Sequence, residues 1–153
     1  MIKLKPTSQI ISRLGLEKNG PAHAFLTKRC ADYMDKYVPY ARGGLAYENR
    51  KIETNVIIYN SPYAHYMYKG LVMGPNVPIM ENGIIVKWFS PIKPKYYTGK
   101  QLNYNTSAGH EYAGPHWDKR MWSAEKYDVI KEVEEFIKRG GKRWMLKIQE
   151  YKN

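Results

Sequence analysis

The amino-acid sequence predicts an α+β fold: a small, mainly antiparallel β-sheet packed against an early helix and one long C-terminal helix, with a long loop protruding. Three observations carry this prediction. Residues 109–139, GHEYAGPHWDKRMWSAEKYDVIKEVEEFIKR, place apolar side chains at steps of three and four, the period of a helix with one buried face. Residues 22–38 repeat that pattern on a shorter scale. Around these two segments lie β-branched and aromatic runs bounded by Gly, Pro, Asn and Ser, the pattern of strands and turns. A helix stripe and a sheet face both need cover, and stacking one on the other supplies it.

Taken in order, residues 7–16 (TSQIISRLGL) form an N-terminal arm, 1–16, with a short helix capped by Thr7 or Ser8 and apolar at Ile10, Ile11 and Leu14. Eight to ten residues are too few to hold a helix without packing. Ala22, Leu26, Cys30, Tyr33 and Tyr37 then define the early helix, which Pro39 ends by pushing its predecessor out of the α region. Cys30, on that stripe, reads as a small apolar core residue. Gly43-Gly44 make a turn, and residues 47–53 and 55–59 read as strands. Ser61-Pro62 break the second, and PYAHYMYKG follows, too dense in aromatics for an ordinary loop. Gly70 and Gly74-Pro75 supply further turns. GIIVKWF, residues 83–89, is continuously apolar and is expected in the middle of the sheet. Residues 90–110 show no period and are expected to form the long loop.

The long helix is expected to start at Gly114-Pro115, with Pro115 at its first position, where the missing N–H costs nothing. Asp118 then faces the positive end of the helix dipole, Lys138 and Arg139 the negative end, and Gly140-Gly141 stop the helix. Its expected stripe is Trp117, Met121, Ala124, Tyr127 or Asp128, Ile130, Val133 and Ile137, with Lys119, Glu125, Lys126, Glu132 and Glu135 largely outside it. Residues 143–151 (RWMLKIQEY) alternate as a half-buried terminal strand.

With 153 residues, 43% hydrophobic, the chain supports one core, so residues 1–153 are expected to form a single domain. A formal charge of +11 implies attraction to an acidic partner, and fourteen tyrosines favour interfaces. One cysteine allows no internal disulfide, the N-terminal MIKLKPTSQI lacks the apolar core of a secretory signal, and no stretch approaches the roughly 18 apolar residues of a membrane span. A cytoplasmic place and no membrane partner are therefore expected. Of the chemistry-bearing residues, His110, Glu111, His116 and Asp118 come closest to a metal or acid-base cluster. His110 and His116 are six apart across a proline, however, and not the i, i+4 pair of a helical zinc motif. His23 and His65 are isolated, and neither a phosphate-binding glycine loop nor a nucleophile elbow occurs. No catalytic, cofactor-binding or metal residue is assigned, no cofactor is expected, and the chain is read as non-enzymatic.

Two places are expected to touch partners: Tyr63, Tyr66 and Tyr68 in the aromatic segment, and Lys93, Lys95, Tyr96, Tyr97 and Tyr104 in the loop. Cations mixed with rings also suit single-stranded nucleic acid, so a small basic nucleic-acid-binding module using the loop 93–104 is the alternative.

Four landmarks carry a resemblance: Tyr37-Val38-Pro39 followed by Gly43-Gly44-Leu45; a strand; Pro62-Tyr63-Ala64 through Tyr66, Tyr68 and Gly70; and Gly114-Pro115-His116-Trp117-Asp118-Lys119-Arg120. In this order, across about residues 10–139, the chain resembles the minor capsid and tail-completion (head-to-tail joining) proteins of tailed bacteriophages. The resemblance implies a structural protein of the virion neck, made in the infected bacterium. It implies a ring, a hexamer, between a portal or stopper-side neck protein and the tail terminator or tail tube protein, with DNA passing through without sequence-specific binding. It also implies that Pro62, Gly70, Gly114, Pro115, Trp117, Asp118 and Arg120 anchor the fold. Because a basic lumen would hold DNA phosphates, most of the charge is expected to face outward or to meet acidic neighbours.

Overall fold

The structure is a computed structural model that describes residues 7–40, 45, 49–91 and 93–140. The fold is α+β, with antiparallel strands packed against early helices and a long C-terminal helix. In chain order the elements are α1 (Thr7–Leu14), α2 (Pro21–Met34), β1 (Arg50–Ile52), β2 (Ile57–Tyr59), α3 (Ala64–Lys69), β3 (Leu71–Gly74), β4 (Val77–Glu81), β5 (Ile84–Phe89), β6 (Tyr96–Gln101) and α4 (Trp117–Lys138). The expected turn at Gly43-Gly44, the start of the strand from Tyr47, the stop at Gly141 and the terminal strand around Trp144 lie outside the described residues.

Helices α2 and α4 run antiparallel. Phe25 stacks on Phe136 at 4.3 Å, Arg29 and Tyr33 meet Glu132, and Tyr37 meets Glu125, so partners rise along one helix as they fall along the other. Between the helices and the β1–β2 ladder lies the core: Met34, Tyr37, Val38, Leu45, Trp117, Met121 and Val129, flanked by Ile57, Tyr59 and Met67. Each fully buried aliphatic side chain there contributes about 1.5–3 kcal/mol relative to exposure.

The stripe of α4 differs from its expectation. Trp117, Met121, Val129 and Phe136 are buried, whereas Tyr127 and Ile130 are 74% and 42% exposed. Each step of three falls about 60° short of a full turn. Four such steps from Met121 to Val133 therefore walk most of the way round the helix, while Met121, Val129 and Phe136 stay on one side. The same arc carries Glu125 and Glu132, expected outside it. Helix α4 also starts two residues later than expected, at Trp117, with Pro115 before the cap and His116 capping in a left-handed conformation (φ 50°, ψ 45°).

Hydrogen bonding divides the strands into three antiparallel pairs: β1–β2, β3–β6 and β4–β5. Two corrections follow. The loop expected over residues 90–110 contains β6, which pairs Tyr96 with Gly74, Tyr97 with Met73 and Gln101 with Leu71. Its partner lies more than twenty residues upstream, so no local period announces it. The apolar run after Gly83 is a strand as expected, but among the described residues not a central one: there β5 pairs with β4 alone, and both strands are exposed along their whole length.

Candidate functional site

The two motif segments pack against one another. The short helix α3 ends on Gly70 in the left-handed region (φ 76°), and the Gly70 N–H donates to the Tyr66 carbonyl at 3.0 Å. A Cβ on Gly70 would lie 2.8 Å from the Pro115 side chain, so a larger residue meets both strain and collision. Next to that contact the His116 N–H donates to the Tyr68 carbonyl at 3.0 Å, and the Tyr68 hydroxyl donates to Asp118 Oδ1 at 2.8 Å. The Tyr68 ring meets Trp117 edge-on at 5.0 Å and His116 at 4.7 Å. Gly114 is buried, its N–H donates to the Tyr37 carbonyl, and the Arg120 guanidinium crosses it to donate to the Tyr112 carbonyl at 2.8 Å. Pro62 is exposed in the turn before α3, beside the buried Ser61.

His110 and His116, set aside as a metal or acid-base pair on their spacing, have separate surroundings. His110 is 1% exposed, stacks on Tyr40 at 4.8 Å and places Nδ1 2.9 Å from the Val38 carbonyl. His116 packs on Tyr68 instead. Among the described residues no group of three or more His, Cys, Asp or Glu is placed to hold a metal ion.

The expected contact residues divide into an outward and an inward set. Tyr63, Tyr66, Lys93, Tyr96 and Tyr97 face outward, and the Tyr97 hydroxyl lies 3.3 Å from His65 Nε2. Tyr68, Tyr104 and Lys95 serve the fold. Tyr104 donates to the Met67 carbonyl at 2.6 Å, and the Lys95 ammonium donates to the Pro75 carbonyl at 2.8 Å, to Asn76 and to Ser90, tying the β3–β4 connection to the β5–β6 connection.

The surface that sequence reasoning missed is the hairpin arm formed by β3 to β6. Strands β3 and β6 make its root, closed by the Leu102 N–H donating to the Gly70 carbonyl at 2.9 Å. Beyond the cis Gly74-Pro75 bond, β4 and β5 continue outward to a turn at Asn82-Gly83, both residues with positive φ (49° and 82°). That is the geometry of a two-residue hairpin turn, for which Asn-Gly is the preferred sequence; this dipeptide between apolar runs was the available signal. By register, Val77 opposes Phe89 and Ile79 opposes Lys87 on one face, while Pro78 opposes Trp88 and Met80 opposes Ile85 on the other. Both faces are therefore rich in apolar residues, with Lys87 and Glu81 on the first. Ile84 at the tip is 68% exposed and Trp88 59%. At the root, Trp88 overhangs an open recess of about 410 Å³ lined also by Val72, Met73 and Thr98.

Comparison with protein-family models, curated proteins and solved structures finds no match for this chain. Among the described residues no helix is long and apolar enough to cross a membrane.

Proposed function

We infer that this chain is a structural neck protein of a tailed-phage virion. In this reading it is a subunit of a ring that joins the DNA-filled head, on the portal and stopper side, to the tail tube or its terminator. The observation that supports this best is the β4–β5 arm, a ribbon rich in apolar residues on both faces and exposed along both strands among the described residues. A surface of that kind suits a protein whose work is binding. The P-Y-A and G-P-x-W-D-x-R segments prompt the reading through their likeness to tail-completion proteins; their contact beside Gly70 holds the point from which the arm leaves the core.

Particles made with Ile84→Asp and Trp88→Asp together test this reading. Filled heads and free tails should accumulate unjoined, and normal infectious particles from that mutant would remove the reading. The arm is a better target than Tyr66 and Tyr68, because the Tyr68 hydroxyl and ring hold the start of α4.

A second reading, nucleic-acid binding, draws on the exposed rings of Tyr96 and Tyr97, 58% and 44% exposed, between Lys93 and Lys100. Binding through several neutralised phosphates weakens steeply with salt. Absence of any shift with DNA or RNA at low salt would dispose of it.

A further inference from the structure

We propose that Lys95 is a latch that holds the β4–β5 arm at one angle to the core, and that the chain between arm and root is a hinge once the latch is undone. The junction lacks a ladder of its own. The last pair of the root joins Gly74 to Tyr96, the first pair of the arm joins Val77 to Phe89, and residues 75–76 and 90–95 lie between them. Pro75, Pro91 and Pro94 stand in those connections and bring no N–H, so backbone pairing is weakened where arm and root meet. Root and arm are accordingly separate two-stranded sheets.

One ammonium takes the place of the missing ladder. Lys95 Nζ donates to the Pro75 carbonyl at 2.8 Å and to Asn76 Oδ1 at 3.1 Å on the β3–β4 connection, and to Ser90 Oγ on the β5–β6 connection. Asn76 is tied back in turn, its Nδ2 donating to the Met73 carbonyl at 2.8 Å. An ammonium has three donors, and here all three are engaged with neutral acceptors drawn from both connections. Because the donor is charged, each bond is stronger than its neutral counterpart. Among the described residues these are the side-chain hydrogen bonds that cross from one connection to the other. Packing does not duplicate them. An open recess of about 260 Å³ lies beside Lys95, lined also by Tyr66 and Ser90, and the recess of about 410 Å³ under Trp88 lies against Gly74. Both leave room into which an unlatched arm swings, and the few residues of two connections suffice to absorb a rotation. A contact arm held at one angle spares the cost of ordering it at the moment of contact. The latch follows from the junction alone and does not rest on the neck reading.

Spin labels on Ile84→Cys at the tip and Tyr127→Cys on α4, in a full chain with Cys30→Ala, read the angle of the arm as a distance distribution by double electron–electron resonance. Both labelled positions are exposed, at 68% and 74%. With Lys95 in place the distribution should be single and narrow. Lys95→Met, which keeps the length of the side chain and removes its donors, should lose that narrow population and spread to other distances. Lys93→Met, which removes a nearby exposed cation, should leave it unchanged. Asn76→Ala takes away one acceptor at an exposed position, should also broaden the distribution, and decides the matter if Lys95→Met does not fold. Circular dichroism and melting establish that each variant is folded. A folded Lys95→Met or Asn76→Ala chain as narrow as its parent overturns the latch, and so does equal broadening by Lys93→Met. A parent whose distribution is already broad overturns it too, because the angle is then not held.

Discussion

The α2–α4 interface and the β4–β5 arm are both rich in apolar residues, but the chain treats them differently. Between the helices, Val129 and Met121 are at most 3% exposed, and polar groups entering the seam are paired: Glu132 accepts from Arg29 and Tyr33, and Glu125 from Lys36 and Tyr37. Along the arm, Trp88 and Phe89 are more than half exposed even with every described residue in place. Apolar composition therefore does not distinguish a core from a contact surface. The covering layer does, and among the described residues none encloses the arm.

The largest effect should separate the two regions directly. Trp117→Ala removes a ring that meets Tyr59 and Tyr68 and should destabilise the chain by about 3–5 kcal/mol in urea titration. Trp88→Ala, a change of the same size on the arm, should stay within about 0.5 kcal/mol for the isolated chain. A comparable loss at both positions would place the arm inside the core and end the contrast.

A smaller effect sharpens the boundary between core and arm, where Gly70 sits at the root and Gly83 at the tip. Both have positive φ, so alanine at either costs about 1–2 kcal/mol of backbone strain. Around Gly83 a Cβ would meet nothing within 4 Å, whereas at Gly70 it would press on Pro115. Gly70→Ala should therefore lower the melting temperature more than Gly83→Ala, and the reverse order would mean that the root is looser than its contacts imply.

The smallest effect concerns pH. The Lys36 hydrogen bond, then that of Tyr37, hold the Glu125 carboxyl below its usual value of 4.5. Burial pushes the Glu132 carboxyl up, but hydrogen bonds from Arg29 and Tyr33 outweigh it and leave that group also below 4.5. A carboxyl depressed on folding contributes stability that is present above its unfolded value and lost as pH falls through its folded one. Melting should thus fall as the solution is acidified below about pH 4.5. Asp35, raised by burial against the pull of Arg50, works in the opposite direction and softens the slope. Glu125→Gln should cost about 1 kcal/mol at neutral pH, because Lys36 is 33% exposed and screened, and should flatten the acid limb. An unchanged limb would assign acid sensitivity to groups outside the helix seam.

How much of this was legible in the sequence depended on how local each signal is. The early helix ends at Met34, four residues short of the limit expected from Pro39, whereas Gly70 marks an element end through its own backbone preference, so the turn there follows from neighbours in the chain. The pairing of Tyr96 and Tyr97 with Gly74 and Met73 does not, since its hydrogen bonds join segments that share no period. The phase of α4 fell between the two cases. A helix was evident, yet steps of three and four both kept to its rule, and only the presence of α2 selected Val129 and Phe136 over Ile130 and Val133.

The sequence by itself therefore determined an α+β chain, its long C-terminal helix and the strands β1, β2 and β5, but not β3, β4 or β6, because the former depend on backbone preference and short-range period. Tertiary structure alone decided which side of α4 is buried, that Tyr68 and Tyr104 turn inward as braces, and that the most apolar strand stands outside the core. Those outcomes depend on which distant surfaces meet, and burial is a property of the pair of surfaces in contact rather than of either segment alone.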